Sequence, residues 1–157
     1  MFAIRRAVAD DIDAVVHLQA RSLQETLGIK THTLEEDFDF YTDRVFKKCT
    51  VLVAETDGAV VGYIGYRKDW IDHLRVDLRH HRRGIGTALL NEAKRQYPYL
   101  QLRCFQHIPA RQFYLRRGFV EVELTDGQGN DEKLPDVRME WRDIGRHLVA
   151  KQPEPTP

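Results

Sequence analysis

One stretch of the sequence, residues 70–97, combines a strand, a glycine-bearing turn and a helix. Its first residues, Trp70–Val76, alternate between apolar and polar side chains as a strand does. A basic loop follows, and from Gly84 onward apolar residues recur at helical spacing, which predicts a helix as far as about Tyr97. The chain therefore contains a strand that runs through a turn directly into a helix.

The start of this helix has the features of an anion-binding site. The first amides of a helix have no intrahelical partner, and the helix dipole places partial positive charge there. Gly84 and Gly86 let an anion approach the backbone because no Cβ intervenes. Basic side chains near the turn are Arg75, Arg79, Arg82 and Arg83. We interpret the turn as a cradle for a pyrophosphate group, with a plain solvated basic loop as the alternative.

Two common phosphate-binding motifs do not fit this turn. A P-loop requires Lys-Ser or Lys-Thr after its second glycine, and the chain has neither in place. The dinucleotide-binding fingerprint requires a third glycine, but Leu89 stands there. Residues 81–86, HRRGIG, instead resemble the acyl-CoA loop of the GCN5-related N-acetyltransferases, Gln/Arg-x-x-Gly-x-Gly/Ala, with His81 as a departure at the first position.

The composition bounds the class of protein. A length of 157 residues predicts a single domain over residues 1–150, followed by a Pro-rich tail at 151–157 that we expect to be disordered. Zero formal net charge disfavours nucleic acid or a membrane surface as a partner. The N-terminus lacks an apolar signal core, and two cysteines make no disulfide framework. We therefore expect a cytoplasmic protein.

Hydrophobic periodicity predicts further strands and helices. Asp10 is expected to cap a first helix that Gly28 ends, and Thr33 with Glu36 forms a capping-box pattern for a second helix. Pro109 begins a short fourth helix. The apolar stripe of the second helix is Leu34, Phe38, Tyr41, Val45 and Phe46. The predicted strands are residues 2–8, 50–55, 59–66, 70–76, 100–105, 119–124 and 137–142.

The resulting order, β-α-α-β-β-β-α-β-α-β-β, predicts an α+β fold. The helix between the fourth and fifth strands implies that these two are parallel, whereas directly connected strands pair antiparallel. We expect a mixed, mostly antiparallel sheet flanked by about four helices. This order is similar, element for element, to that of the GCN5-related N-acetyltransferases over about residues 2–142.

A second motif carries the same resemblance. Family members often have Asn-x-x-Ala-x-x-Phe-Tyr-x-x-x-Gly-Phe after the fifth strand, and residues 107–119, HIPARQFYLRRGF, match every fixed position except the first, where His107 stands. The resemblance implies an acyl-CoA-dependent N-acyltransferase with acetyl-CoA as co-substrate. The acceptor would be a primary amine of a small molecule or protein, which attacks the thioester directly in a ternary complex. The resemblance is compatible with a monomer or a homodimer.

The resemblance also implies roles for individual residues. Leu74, Arg75 and Val76 would contact the pantetheine arm between splayed fourth and fifth strands, and the Val76 N–H would stabilise the oxyanion. Tyr114 would contact CoA and protonate its departing thiolate as general acid, and His107 would hold CoA or a water. The pyrophosphate would be bound by Arg82, Arg83, Gly84, Ile85, Gly86 and Thr87.

The general base has no motif of its own. A Glu that is common in the subgroup acetylating protein N-termini would fall at Leu102, which cannot accept a proton. Asp72 and His73 on the fourth strand are the nearest candidates, and strand alternation predicts that only one of them faces the cleft. Glu55 is a more remote candidate.

The acceptor pocket and a metal site are less constrained. The acceptor is expected under residues 27–41, where Asp37, Asp39 and Tyr41 are candidate lining residues, or at the polar loop 127–132. Cys104 and His107 have CxxH spacing, but nothing supplies two further ligands, so no metal is expected.

Two other function classes stay open. A CoA-binding sensor or structural module without catalysis is compatible with the departures at His81 and His107, although the intact Tyr114 argues against it. A nucleic-acid binder that uses the basic loop 75–83 is disfavoured by the zero net charge.

Overall fold

Seven strands and four helices make up the described part of the chain, residues 1–30 and 32–145 of a computed structural model. The strands are β1 (Ala3–Arg6), β2 (Thr50–Thr56), β3 (Ala59–Arg67), β4 (Trp70–Val76), β5 (Tyr99–Phe105), β6 (Val120–Leu124) and β7 (Asp136–Arg142). The helices are α1 (Ile12–Leu27), α2 (Leu34–Phe40), α3 (Ile85–Gln96) and α4 (Ala110–Arg116). A π-helical turn, Tyr41–Val45, and a last turn, Phe46–Lys48, extend α2 without a break. The tail expected at 151–157 lies outside the described residues.

The strands form one sheet in the order β1-β2-β3-β4-β5-β7-β6. Every neighbouring pair is antiparallel except β4 and β5, which confirms the predicted mixed sheet. The parallel pair is joined only at its start, where Trp70 lies opposite Gln101 and the Gln101 amide donates to the Asp69 carbonyl (2.8 Å). β5 is paired with β7 over its whole length, whereas β4 and β5 separate beyond this single pair and leave an opening.

Helices pack on both faces of the sheet and form two apolar cores. On one face, α1 and the π-helical turn cover β2 and β3, and Val15, Val53 and Tyr63 are fully buried there. On the other face, α3 packs on the sheet and Leu89 and Leu100 are fully buried. Burial of one such side chain contributes about 1.5–3 kcal/mol to folding. These cores hold the two sides of the β4–β5 opening in place.

The start of α1 differs from the prediction, whereas its end agrees. Asp10 is not the helix cap: it lies exposed in a 3₁₀ turn, Ala9–Asp11, and Asp11 occupies the N-cap position. The Asp11 carboxylate accepts bonds from the Val8 amide (2.8 Å) and from Arg5 (2.8 and 2.9 Å). It therefore stabilises the turn before α1 and accepts no bond from the first amides of the helix. Gly28 ends α1 in the left-handed conformation (φ 66°), as predicted.

The second helix begins as predicted but buries only part of its apolar stripe. Thr33 Oγ1 accepts from the Glu36 amide (3.1 Å), and Glu36 accepts from the Thr33 amide (3.3 Å), which confirms the capping box. Leu34 and Phe38 are exposed, whereas Tyr41 is buried. The π-helical turn adds a residue to the helical repeat and rotates the later positions onto the sheet, which a regular 3.6-residue pattern does not anticipate.

Candidate active site

Two cavities lie at the opening between β4 and β5. The first, about 500 Å³, is enclosed by the C-terminal half of α1, the end of β4, the start of α3 and α4. The second, about 300 Å³, is enclosed by β4, β5 and the segment before β7. Both volumes fall within the range of about 300–1,000 Å³ that ligand sites occupy. The cavities share several lining residues, so a ligand in one can touch a ligand in the other.

The N-terminus of α3 faces the first cavity. Gly84, in the left-handed conformation (φ 80°), precedes the helix, and its carbonyl accepts the first helical bond from the Ala88 amide (3.0 Å). The amides of residues 85–87 therefore precede the helical bonds and are available to an anion. Gly86 packs closely against α4, since a Cβ there would lie 3.2 Å from the Phe113 ring and the ring would have to shift by a few tenths of an ångström. The predicted cradle thus has the expected backbone geometry.

The loop between β4 and α3 is fixed from two sides. The buried Asp77 carboxylate accepts bonds from the Arg79 side chain (2.8 and 3.1 Å) and from Arg21 of α1 (2.9 Å). These partners, Arg79 first, lower the pKa of Asp77 to about 2. Nε2 of His81 donates to the Val76 carbonyl (2.8 Å). His81, the departure from the family motif, therefore ties the loop to the end of β4.

Positive charge dominates the first cavity. Its basic lining residues are Arg75, His80, His81, Arg82, Arg116 and Arg117. None of the described residues that line it is Asp or Glu. Nε of Arg117 donates to Thr87 Oγ1 (2.8 Å), and its guanidinium lies 3.7 Å from the centre of the Phe113 ring, so this cation is held in place. Such a cavity is suited to a polyanionic ligand.

The end of β4 offers backbone groups to the opening. Leu74, Arg75 and Val76 line the first cavity. The Asp77 amide donates to the Val61 carbonyl of β3 (2.8 Å). Because successive amides along a strand point to opposite sides, the Val76 amide points away from β3 and towards the opening. This is the direction that the predicted oxyanion donor requires.

Tyr114 lies where the two cavities meet, and it lines both of them. Its ring packs edge-on against Phe113 (5.3 Å between centroids) and Phe119 (5.5 Å), and 6% of the residue is exposed. Within residues 1–30 and 32–145, no group hydrogen-bonds to its hydroxyl. Burial raises the pKa of the phenol well above its ordinary value, although the charge of Arg75 acts in the opposite direction. The hydroxyl is therefore protonated and available to a ligand.

A bulge in β4 changes the orientation predicted for the base candidates. His73 lies opposite Gly65 and Ile71 opposite Tyr66, so Asp72 is an extra residue with no partner on β3. Asp72 and His73 both line the second cavity. The expectation that only one of them faces the cleft is therefore wrong, because strict alternation breaks down at a bulge.

The two base candidates differ in their surroundings. Asp72 accepts a bond from Nε of Arg67 (2.8 Å). His73 packs against the Tyr41 ring, with Nδ1 3.5 Å from the Tyr41 hydroxyl. Burial, helped by the charge of Arg75, lowers the pKa of His73 to about 4. His73 is therefore a neutral imidazole at pH 7, and Asp72 is a carboxylate compensated by an ion pair.

Several predicted residues do not reach either cavity. His107 and Arg83 are exposed and line neither of them. Glu55 lies on β2, where it pairs with an arginine of β1 (2.8 Å), away from the opening. Asp37 and Asp39 of α2, Tyr41 and Arg79 also lie outside both cavities. The predicted residues that line one cavity or both are Asp72, His73, Leu74, Arg75, Val76, Arg82, Gly84, Ile85, Gly86, Thr87 and Tyr114.

The segment between β6 and β7 forms one wall of the second cavity. Asn130, Glu132 and Asp136 line it, in agreement with the expectation that the polar loop 127–132 forms a rim. The buried Asp136 accepts bonds from Thr125 Oγ1 (2.6 Å) and Asn130 (3.1 Å). Asp136 was not predicted from the sequence, where it stands just before the predicted last strand, 137–142.

Cys104 also lines the second cavity. Burial raises the pKa of its thiol to about 11, so it is not a thiolate at neutral pH. Among residues 1–30 and 32–145, no three His, Cys, Asp or Glu side chains are grouped to hold a metal ion. No helix in the same residues is long and apolar enough to cross a membrane.

Comparisons with known proteins agree with this arrangement. Residues 47–121 match the model of the acetyltransferase (GNAT) domain. An uncharacterized N-acetyltransferase of Methanocaldococcus jannaschii is 32% identical over 133 residues, which cover 77% of this chain and 80% of that protein. The peptidyl-lysine N-acetyltransferase YiaC of Escherichia coli is 28% identical over 144 residues, 88% of this chain and 95% of that protein.

A solved structure shares the fold. The PaiA N-acetyltransferase of Thermoplasma acidophilum, determined in complex with coenzyme A, superposes with a TM-score of 0.70. The match is 19% identical and covers 90% of this chain and 99% of that one. The fold of this chain is therefore one that a solved N-acetyltransferase has.

Proposed function

This chain belongs to the GCN5-related N-acetyltransferase (GNAT) family, and on that premise we propose that acetyl-CoA occupies the first cavity and a primary amine the second. The chain is an acyl-CoA-dependent N-acetyltransferase by its relatives and its fold. The proposal concerns how the two substrates are placed and how the acetyl group moves between them.

The proposal rests on one observation: carboxylates line the second cavity but not the first, although the two cavities adjoin. The first cavity is lined by arginine and histidine side chains and by the amides that begin α3. The second has three carboxylates, Asp72, Glu132 and Asp136, beside two arginines, Arg75 and Arg103. Asp72 and Asp136 are ion-paired, with Arg67 and Arg103, so Glu132 is the carboxylate of this wall without a described cation partner. A polyphosphate ligand is favoured in the first, and an amine is favoured in the second.

The placement of acetyl-CoA follows from the backbone groups around the first cavity. The pyrophosphate would accept bonds from the amides of residues 85–87, with Arg82 adding charge. The pantetheine arm would lie along Leu74 and Val76, where β4 lacks its neighbour. The thioester oxygen would then face the Val76 amide, which stabilises the oxyanion of the tetrahedral intermediate.

Direct attack by the amine is favoured over an acetyl-cysteine intermediate. Cys104 lines the second cavity, but its raised pKa keeps it a thiol, which is a weak nucleophile. Tyr114 lies at the junction with an available hydroxyl and would protonate the departing thiolate. Asp72 or His73, through a water, would take the proton of the amine.

The test is a screen of amine acceptors that detects the free thiol of CoA. It includes a lysine peptide with a blocked N-terminus, since YiaC is named for peptidyl-lysine, a peptide with a free N-terminus, and spermidine. A ternary complex predicts intersecting lines when initial rates are plotted against both substrates. Parallel lines would instead indicate an acetyl-enzyme and overturn direct attack.

The assignment of the base has its own experiment. Asp72→Ala or His73→Ala should lower turnover with the best acceptor of the screen and remove the acidic limb of the pH–rate profile. If neither variant changes that limb, the amine loses its proton to solvent rather than to a side chain of β4.

A further inference from the structure

The junction of the two cavities contains very few polar side chains. Seven residues line both cavities, and five of them are apolar: Leu23, Leu74, Phe105, Ile108 and Ala110. The two polar residues are Arg75 and Tyr114. Given the proposed function, the reacting atoms of the two substrates must meet at this junction. The side chain of Arg75 therefore lies at the reaction centre, a role distinct from the backbone contact that its motif suggests.

Arg75 brings a charge that the protein leaves largely uncompensated. Its residue is half-buried, and Nη1 donates to the Leu74 carbonyl (2.9 Å). No carboxylate among residues 1–30 and 32–145 forms an ion pair with it. Arg82 and Arg117 line the first cavity but not the second, so their charges serve the phosphate end of that cavity. Among the lysines and arginines of the described residues, only Arg75 lines both cavities, so its side chain is placed to contact both substrates.

We propose that the guanidinium of Arg75 is a catalytic residue that stabilises the negative charge on the CoA sulfur as the thioester bond breaks. In this step the amine lone pair forms the C–N bond, and the electron pair of the C–S bond passes to the sulfur. The sulfur then takes the hydroxyl proton of Tyr114. The proton that the amine releases passes to the base on β4 and from there, through water, replaces the proton that Tyr114 has lost. Arginine stays charged throughout, so it acts by its field and not by proton transfer.

The surroundings of Tyr114 explain why a cation is needed there. Burial raises the pKa of this phenol, which makes it a poorer donor to a thiolate, whereas the charge of Arg75 lowers it. A fixed cation beside the sulfur stabilises the thiolate before the proton arrives. It also makes the transfer from Tyr114 easier, because the phenolate that forms is adjacent to the same charge.

The test uses coenzyme A itself and needs no acceptor. The thiol of CoA bound to the enzyme is titrated by thiolate absorbance, with the desulfo-CoA complex as a blank that removes the signal of tyrosines. Three variants are compared with the wild type. Arg75→Gln keeps an N–H donor for the Leu74 carbonyl but removes the charge, whereas Arg75→Lys keeps the charge. Arg44→Met is a control that removes an arginine at an exposed position of the π-helical turn.

The wild type and Arg44→Met should show a thiol pKa below that of free CoA. Arg75→Gln should raise the pKa of the bound CoA thiol, with a decrease of about tenfold or more in its ionisation constant. Arg75→Lys should keep most of the wild-type lowering of this pKa. Turnover with acetyl-CoA should fall in Arg75→Gln more than in Arg75→Lys. If Arg75→Gln binds CoA and titrates as the wild type does, the catalytic role is overturned and the hydrogen bond to Leu74 is the function of the residue. Failure of the wild type to bind CoA would overturn the proposed function instead.

Discussion

Replacement of the Tyr114 hydroxyl tests the reaction centre most directly. In Tyr114→Phe the ring keeps its packing against Phe113 and Phe119, and only the hydroxyl is lost. A buried hydrogen bond contributes about 0.5–1.5 kcal/mol to stability, but no group among the described residues bonds to this hydroxyl. The free energy of unfolding should therefore change by less than about 0.5 kcal/mol.

The expected loss in turnover is much larger than this change in stability. General acids contribute roughly 10²–10⁴-fold to rates, and each tenfold step corresponds to about 1.36 kcal/mol. Turnover of Tyr114→Phe should fall by that factor, or about 2.7–5.4 kcal/mol of transition-state stabilisation. The affinity for acetyl-CoA should change little, because neither the amides that begin α3 nor the cations of the first cavity are altered.

Steady-state kinetics and calorimetry with acetyl-CoA measure the two quantities separately. Tyr66→Phe is the matched control, because Tyr66 is buried, its hydroxyl lacks a described partner, and it lines neither cavity. The control should retain its turnover. A Tyr114→Phe enzyme with near-normal turnover would refute the acid role, and a folded variant that no longer binds CoA would make Tyr114 a binding residue.

Three further predictions concern the cofactor site, pH and the cavity wall. Acetyl-CoA at 100 times its dissociation constant should stabilise the wild type by about 2.7 kcal/mol, and Gly86→Asp should abolish this gain by placing bulk and negative charge at the cradle. Equal binding of CoA by wild type and variant in calorimetry would contradict the cradle. The melting temperature of the variant without ligand shows separately whether the new side chain destabilises the fold. Because the pKa of His73 is lowered to about 4 in the fold, the unfolded chain binds more protons between about pH 6.5 and 4, so stability should fall by on the order of 3 kcal/mol as pH drops through this window. Denaturant titrations of His73→Gln should show a flatter dependence, and an unchanged one would place the titration elsewhere. Gly127→Ala should lower the free energy of unfolding by at least about 2 kcal/mol, since a Cβ at this left-handed residue (φ 80°) would lie 1.9 Å from a backbone oxygen. Gly129→Ala is the control in thermal melts, because a Cβ at Gly129 meets nothing within 4 Å.

Local sequence patterns determined the anion cradle and the strand–turn–helix unit. The amides of residues 85–87 become available wherever a helix begins, and helical spacing with two glycines is visible within a dozen residues. The same holds for Tyr114, whose motif and short helix are contiguous in the chain. The sheet class also followed from the order of elements, since a crossover helix requires a parallel pair.

Features that depend on pairing between distant segments needed the tertiary structure. The bulge that turns Asp72 and His73 to the same cavity is a property of the register between β3 and β4, and neither strand carries a local signal for it. His107 stands at the first position of the family motif, where it was expected to hold CoA or a water, yet it is exposed in the turn before α4. The residues of a motif are contiguous, but the direction of each side chain depends on what packs around it.

The placement of Arg75 was decided by the tertiary structure alone. In the sequence it is one of four arginines near a glycine turn, and the family motif gives it only a contact with the pantetheine arm. In the structure Arg79 pairs with Asp77, Arg82 lines only the first cavity, and Arg75 lines both. β5 pairs with β7 over its whole length but with β4 at only one residue, so the opening between β4 and β5 is formed by segments that are far apart in the chain. The proposed reaction centre lies at this opening.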